Sequence, residues 1–427
     1  MAILFITFLV LLALTFPIGI AQGIACIAVS YFGDVISVTT LTKAIVSGFN
    51  SFTLVAIPLF TFAGDIMGQG GISSRLIGVA KLGLGKRTGG LGIVSIVACM
   101  IFAAISGTGS ATVAAIGLIM IPEMVRGGYD KPYATSLVAT AGTIGTIIPP
   151  SICMVVYAVA AETSIAAMFT SGFPVGIVVG SGLCIYCYIS CKKRGYKPAE
   201  LHYTGKEVLH ILIDAIPSFM VPVLVLGSIY SGICTPTEAA AIGCLLGVII
   251  SVFIYKEVSI MEVPYLLFRS VALGAPVLLI IGISTAFGRI LAITQAPVII
   301  SSAILSITTN KIVLLLLINV LLLFVGTFME TCAAIIILTP ILLPMVKSVG
   351  VNPVHFGMIM ILNLAIGFVT PPLGANLFTA SMISGVKFET LAKTIWPWIF
   401  VMIAVLMLIT YIPWISTFLP PLVGIPI

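Results

Sequence analysis

SGTGSATVAAIGLIMIPEMVRGGYDKPYATSLVATAGTIGTIIPPS, residues 106–151, and VGTFMETCAAIIILTPILLPMVKSVGVNPVHFGMIMILNLAIGFVTPPLG, residues 325–374, write one pattern twice. Gly107-Thr108 corresponds to Gly326-Thr327, and Thr112-Val113-Ala114-Ala115 to Thr331-Cys332-Ala333-Ala334. Pro122, Pro132 and the pair Pro149-Pro150 then match Pro344, Pro353 and the pair Pro371-Pro372 in order and approximate spacing. Upstream, Phe62-Ala63-Gly64-Asp65 aligns loosely with Ala286-Phe287-Gly288-Arg289, and Pro17 with Pro236. Self-similarity of this kind marks a repeated architecture, here two halves joined near Lys192 to Glu207.

The repeats lie in a chain that composition assigns to a membrane. Of 427 residues, 60% are hydrophobic and 7% charged, against roughly a quarter charged in a soluble domain. Apolar runs able to span ~30 Å of hydrocarbon at roughly 20 residues each recur from Met1 to Leu419, which excludes a soluble globule. The net charge of +6 resides in short loops, where the positive-inside bias accounts for it, so no nucleic acid is implied. The first 20 residues carry no basic leader or cleavage signature and read as a retained span.

A Gly-rich interruption in an apolar stretch reads either as two ordinary helices or as a hairpin that dips in and returns. With Leu91 to Pro122 taken as a re-entrant hairpin, its tip at Ser106 to Ser110, the loops on both sides fall on one face, and both are basic: Arg75, Lys81, Lys86 and Arg87 before, Arg126 and Lys131 after. Two full spans, Pro132 to Ala160 and Ser164 to Ser190, return the chain to that face at Lys192, Lys193, Arg194 and Lys197, making it cytoplasmic. The second hairpin, Ile312 to Pro344, is flanked only by Lys311 and Lys347, as the outer face requires. The repeats are therefore inverted. Splitting Ala2 to Phe32 at Pro17 and Ile211 to Tyr255 near Pro236 gives the odd number of crossings per half that inversion needs, with both termini outside. Trp396 and Trp398 bracket the last span against Trp414, roughly 25 Å away at 1.5 Å per residue, as an aromatic belt does.

The fold expected is an all-α integral membrane protein with two inverted-topology repeats, each holding a re-entrant hairpin and a broken helix. Residues 1–56 form N-terminal scaffold helices. Residues 57–190 form the transport part of the first repeat, with the hairpin at 91–122 and the broken helix at 132–160. Residues 191–210 are a cytoplasmic connecting loop and 211–287 the scaffold helices of the second repeat. Residues 288–427 complete the second transport part, with a hairpin at 312–344, a broken helix at 354–383 and the last span.

Inverted repeats with Gly/Pro-broken helices point to a secondary transporter whose site lies between discontinuous helices at the midplane. Unwound backbone in lipid is costly unless it lines a cavity or binds something. Four breaks occur: Ser106-Gly107-Thr108-Gly109-Ser110, Gly142-Thr143-Ile144-Gly145-Thr146, Val325-Gly326-Thr327 and Gly367-Phe368-Val369-Thr370. Each tip and broken-helix pair offers freed carbonyls and hydroxyls suited to a desolvated sodium ion. The first predicted sodium site comprises Ser106, Gly107, Ser110, Gly142, Gly145 and Thr146; the second, Gly326, Thr327, Gly367 and Thr370. Half-helix N-termini facing the cavity suit an anion. The bland reading of any single Gly/Ser/Thr cluster is close helix packing; four in register across an inverted repeat weigh against it.

Ionisable residues within apolar segments are functional hypotheses by default, and Asp65, Glu238, Arg289 and Glu330 qualify. Arg289 either meets a substrate carboxylate by bidentate hydrogen bonding or pairs with an acid such as Asp65. Asp65, Thr108 and Thr143 join it as substrate candidates. Glu330 either sits near sodium or caps a half-helix, and Glu238, after Pro236-Thr237, suits the first turn of a helix.

Enzyme chemistry finds no support. His202, His210 and His355 lie far apart without zinc-ligand spacing, Gly107-Thr108-Gly109 lacks a P-loop lysine, and no catalytic pair stands in the spans. Nine cysteines, mostly in apolar segments, do not make a disulfide framework. Cys184, Cys187 and Cys191 share a helix face without a fourth metal ligand and read as small apolar residues. No cofactor is expected beyond Na+ as coupling ion.

Ile57-Pro58-Leu59-Phe60 with Ala63-Gly64, Ser106-Gly107 followed by Ser110-Ala111-Thr112, Gly232-Ile233-Cys234-Thr235-Pro236-Thr237-Glu238-Ala239-Ala240 and Thr370-Pro371-Pro372-Leu373-Gly374 together resemble the large membrane subunit of tripartite ATP-independent periplasmic (TRAP) transporters. The likeness covers essentially the whole chain. It implies an elevator-type carrier of a bacterial inner membrane, working with a small four-helix membrane subunit and a periplasmic substrate-binding protein. It further implies symport of sodium with an organic acid such as a C4-dicarboxylate or sialic acid. Matching positions carry Ser106, Gly107 and Ser110 over to one sodium site and Gly326, Gly367 and Thr370 to the other, although Val325-Gly326-Thr327-Phe328 lacks the Ser and second Gly of its counterpart. The implied mobile domain is Phe60 to Pro174 with Gly288 to Pro397, moving against Ile211 to Tyr255 and the N-terminal segments. The rival expectation is a self-sufficient sodium/carboxylate symporter that uses no binding protein.

Overall fold

The computed structural model describes residues 2–14, 16–33, 35–196, 198, 203–296, 299 and 310–427. Met1, Lys197, His202 and part of the 191–210 connecting loop lie outside the described residues. Among those described, every regular element is helical, and seven helices are long and apolar enough to cross a membrane.

Glycine and proline place the breaks. Helices Ala2–Ala13 and Ile18–Phe32 meet around Pro17, and Gly205–Tyr230 gives way to Pro236–Val248 with Pro236 in the first turn, where its missing N–H is harmless. The first hairpin is Gly90–Ser106 and Gly109–Arg126. Between them Gly107 has φ +66°, a left-handed conformation that ends a helix and that glycine adopts without a Cβ penalty. Thr108 then returns to extended backbone to start the second arm. The second hairpin, Lys311–Gly326 and Thr331–Ser348, turns differently: the Glu330 carboxylate caps its returning arm, accepting from Ala333 N–H at 2.9 Å. Both broken helices carry a cis Pro-Pro bond, Pro149-Pro150 and Pro371-Pro372. The first runs Lys131–Ala141, a 3-10 turn at Gly142–Thr146, then Ile152–Ala160; the second runs Pro353–Gly367, then Ala375–Ser384.

Side-chain contacts fix the direction of each hairpin. Lys81 pairs with Glu123, and Arg194 with Asp130 at 3.2 Å, so the loops around Lys81, Glu123 to Lys131 and Arg194 share one end of the molecule. Arg75 joins that end to the second half, bonding Asp214 at 2.9 Å and Glu257 at 2.8 Å while stacking on Tyr255. Trp398, at the start of the last span Trp396–Tyr411, packs there against Tyr133 and Tyr186. Tyr411, at the far end of that span, donates to the Ile312 carbonyl, and Lys311 donates to the Gly350 carbonyl. The second hairpin thus enters from the end opposite the first, and the two repeats have inverted topology.

Burial is graded inward. All residues from Val354 to Gly367 of the second broken helix are buried, as are Tyr133 to Ala141 of the first, whereas Ile213, Ile216 and Val223 on Gly205–Tyr230 are exposed as lipid-facing side chains are. Two boundaries drawn from sequence are corrected here. The divide at 287/288 falls inside the continuous helix Val263–Ile293, and that at 190/191 inside Ile165–Arg194. Neither helix is interrupted at those positions.

The second tip touches its broken helix backbone to backbone: a Cβ on Gly326 would lie 3.3 Å from the Cα atoms of Leu364 and Gly367, and one on Gly367 would overlap the Gly326 carbonyl. Gly367→Ala should therefore lose about 1–3 kcal/mol through overpacking, seen as a fall of several degrees in thermal unfolding of the purified protein. Gly288→Ala, whose Cβ meets nothing within 4 Å, should leave the midpoint unchanged or raise it.

Candidate functional site

A cavity of about 690 Å³ lies where the two hairpins meet. Ser106 to Ala111 of the first tip form one wall and Glu330 and Cys332 of the second tip another. Thr146, Ile152 and Cys153 come from the first broken helix, and Phe368, Ala375 and Thr379 from the second. Helices Ala56–Gln69 and Val263–Ile293 close it with Thr61, Asp65 and Arg269.

At the first tip, Thr112 Oγ1 donates to the Thr108 carbonyl at 2.8 Å, which leaves the Ser106 hydroxyl as the donor across its 2.8 Å contact with Thr112 Oγ1. The Gly107 carbonyl accepts from Ile152 N–H at 3.4 Å, tying the tip to the returning half of the broken helix. A Cβ on Gly145 would strike the Thr108 carbonyl and the Thr112 hydroxyl. Asn376, from the second half, reaches into this arrangement. Its Nδ2 donates to the Ala139 carbonyl at 3.3 Å, while its Oδ1, fully buried, has no partner. The same amide borders Gly109, whose added Cβ would also lie 3.3 Å from the Gly142 carbonyl oxygen. Thr331, the repeat counterpart of Thr112, likewise keeps a buried hydroxyl without a partner.

Among the described residues no three His, Cys, Asp or Glu side chains converge on a metal position, so a bound cation would be held by neutral oxygens. That donor set suits an alkali ion, whose hydration shell carbonyl and hydroxyl oxygens replace. The orphaned Asn376 Oδ1 beside the Gly142 carbonyl fits it, because a buried acceptor without a donor otherwise bears its desolvation unrelieved.

Of the residues singled out from sequence, Ser106, Gly107, Thr108, Ser110, Thr146 and Asp65 line the cavity. Gly142 and Gly145 stand directly behind the first tip. Thr143 does not reach the cavity wall; it is buried and donates to the Thr140 carbonyl. Gly326, Thr327, Gly367 and Thr370 lie off the wall, and the hydroxyls of Thr327 and Thr370 bond the carbonyls of Phe324 and Ile366 in their own helices. Glu330 takes the second of its two proposed roles, capping the helix Thr331–Ser348, and also lines the cavity.

Arg289 is corrected: both it and Arg269 are exposed, but Arg289 lies outside the cavity lining. Asp65 accepts instead from Ser270 at 3.1 Å, and Ser270 precedes Arg289 on one helix by 19 positions, roughly 28 Å at 1.5 Å per residue. The arginine on the wall is Arg269, two turns into that helix. No carboxylate among the described residues lies within ion-pair distance of it. Arg269 and Asn376 were missed by sequence; the available signal was a charged residue within the apolar run after Pro264, and an amide following the second Pro-Pro pair. Glu238 completes a capping box, accepting from Thr235 N–H at 2.8 Å while the Thr235 hydroxyl accepts from Glu238 N–H. Cys187 and Cys191 pack beside Tyr133 and the Gly89–Gly92 turn.

Two inverted hairpin and broken-helix repeats closing on one shared cavity define a secondary membrane transporter. Its fold is similar to the crystal structure of the Alcanivorax borkumensis YdaH transporter, described as revealing an unusual topology, at a TM-score of 0.64 over 88% of each chain and 16% identity. The family described as "Tripartite ATP-independent periplasmic transporter, DctM component" matches residues 5–415, and this chain belongs to it: a multi-pass membrane transport protein, not an enzyme. It is 46% identical over 97% of its length to the isethionate TRAP transporter permease protein DctMQ of Oleidesulfovibrio alaskensis, of which it spans 66%. It is 38% identical to the C4-dicarboxylate TRAP transporter large permease protein DctM of Pseudomonas aeruginosa, with 91% of each covered. The sialic acid TRAP transporter large permease protein SiaM of Vibrio cholerae is 35% identical, with 95% of each covered.

The capping box gives Glu238 a role away from the cavity. Glu238→Ala should lower the thermal unfolding midpoint slightly by opening the capping box and leave ligand-induced stabilisation by an organic acid unchanged.

Proposed function

We propose that this chain is the membrane-embedded carrier of a sodium-driven importer of a small organic acid, working in a bacterial inner membrane. It acts with a small four-helix membrane subunit and receives its acid from a periplasmic binding protein. The observation that carries the reading is an unpaired arginine, Arg269, on a cavity that both hairpin tips and both broken helices enclose. A guanidinium without a carboxylate partner is available for bidentate bonding to an anion, and it serves a carboxylate or a sulfonate equally. The relatives named for isethionate, C4-dicarboxylate and sialic acid transport bracket the class of acid.

Sodium would be held between the first tip and its broken helix, where Asn376 Oδ1, the Gly142 carbonyl and the Ser106 and Thr112 hydroxyls would supply neutral oxygens. A second ion is assigned to the Gly326 to Thr331 turn, where the Thr331 hydroxyl is free. Cation binding draws tip and helix together, which shapes the wall that the acid contacts and couples the two ligands. A transport part made of the two hairpins and the two broken helices then moves as an elevator against Gly205–Tyr230, Pro236–Val248 and the N-terminal helices.

The test is uptake of labelled isethionate, succinate and N-acetylneuraminate into proteoliposomes containing this chain and its small subunit, under an inward sodium gradient. Accumulation that needs both sodium and binding protein is expected. Accumulation with sodium alone overturns the tripartite arrangement in favour of a self-sufficient symporter, and uptake indifferent to sodium overturns the ion sites. Arg269→Ala should weaken acid binding by about 1.5–3 kcal/mol, as for loss of a charged hydrogen bond. Asn376→Ala should raise the sodium concentration for half-maximal uptake about tenfold, which is about 1.4 kcal/mol.

A further inference from the structure

We propose that Cys153 and Cys332 form a redox-reversible thiol pair that peroxide converts to a disulfide, stapling the second hairpin tip to the first broken helix across the cavity wall. Their sulfurs lie 3.8 Å apart, both residues line the cavity, and they come from different halves of the chain. Cys153 is the second residue of Ile152–Ala160 and Cys332 the second of Thr331–Ser348, so each opens a helix immediately after a break. The repeat counterpart of Cys332 is Val113, so the pair is no product of the duplication.

Separation and access set this pair apart. Bonded sulfurs are ~2.05 Å apart, so closure requires under 2 Å of movement, within reach of side-chain rotation and a small shift of the tip. The residues are only 4% and 5% exposed, and their one open side is the cavity, which admits an oxidant as small as hydrogen peroxide. Cys187 and Cys191 are also 3.8 Å apart, but they sit four positions apart on one helix, where a bond ties the helix only to itself.

The chemistry balances with peroxide as the two-electron oxidant. One cysteine, as its thiolate, attacks a peroxide oxygen, the O–O bond breaks, and a sulfenic acid and water result once the thiol proton is counted. The second thiol attacks the sulfenic sulfur, the S–O bond breaks, and its proton leaves with the oxygen as a second water. Two thiols and one peroxide thus give a disulfide and two waters, and an external dithiol reverses it by exchange. Reversal by exchange with an external dithiol is the redox-sensing behaviour assigned here. The bond itself rests on geometry; its consequence, loss of uptake because a stapled second tip can no longer open the cavity to the acid, rests on the function proposed above.

The test uses the chain with its small subunit in proteoliposomes, treated with hydrogen peroxide, blocked with N-ethylmaleimide and digested for mass spectrometry. A linked peptide joining Cys153 to Cys332, lost on dithiothreitol treatment, is expected, with uptake reduced at least tenfold and restored by the same reductant. Cys153→Ser and Cys332→Ser should each abolish the linked peptide and bring the oxidised-to-reduced uptake ratio, measured within each variant, close to one. Maleimide on both cysteines without a linked peptide overturns the pair. A linked peptide with undiminished uptake overturns the staple. A linked peptide in protein whose reduced form takes up none of the acids supports the pair while overturning the transport function, so the two failures are read separately.

Discussion

A backbone that leaves the helix inside hydrocarbon must find partners for its freed N–H and C=O groups, and this constraint organises the molecule. The chain breaks its helices at four places near the middle of its apolar mass. Each is covered by another break: Gly107 bonds the start of Ile152–Ala160, Gly326 lies against Gly367, and Asn376 crosses from the second half to the carbonyl of Ala139. What the breaks do not satisfy among themselves is the polar lining of the cavity. Packing and binding capacity therefore have one origin, and Asn376 ties the two halves together at it.

The periphery follows from the same arrangement. Helices such as Gly205–Tyr230 turn unbroken apolar faces outward, while Pro353–Gly367 is buried along almost its whole length. Among the described residues the ion pairs lie at one end, where Arg75, Lys81 and Arg194 find carboxylates. Asp65, Glu330 and Arg269 stand on the cavity wall, and Arg269 has no carboxylate within ion-pair distance.

Much of this was legible in the sequence because glycine and proline punctuate apolar runs in a way that lipid-facing helices do not need. The repeated Gly-Thr and Pro-Pro signals located both hairpins and both broken helices, and loop charge gave their opposite directions. The side chains that complete the cavity were less legible. Aligning Gly288-Arg289 with Gly64-Asp65 placed an arginine opposite Asp65, but the helix runs unbroken from Val263 to Ile293 and brings Ser270 to that carboxylate. Arg269 resembles the interfacial arginine of a span's first turns, and only the packing of that helix against Ala56–Gln69 brings it to the cavity. Asn376 could not be linked to Gly109 from spacing, since their proximity depends on how the halves dock.

The two tips are related by sequence yet finished differently. Thr112 has its hydroxyl satisfied within its own turn, whereas Thr331 does not, and the second turn relies on a carboxylate cap where the first relies on a left-handed glycine. Duplication thus left two ends of one cavity that are not chemically interchangeable: one presents a turn whose hydroxyl is already engaged, the other a turn with a hydroxyl still to be satisfied.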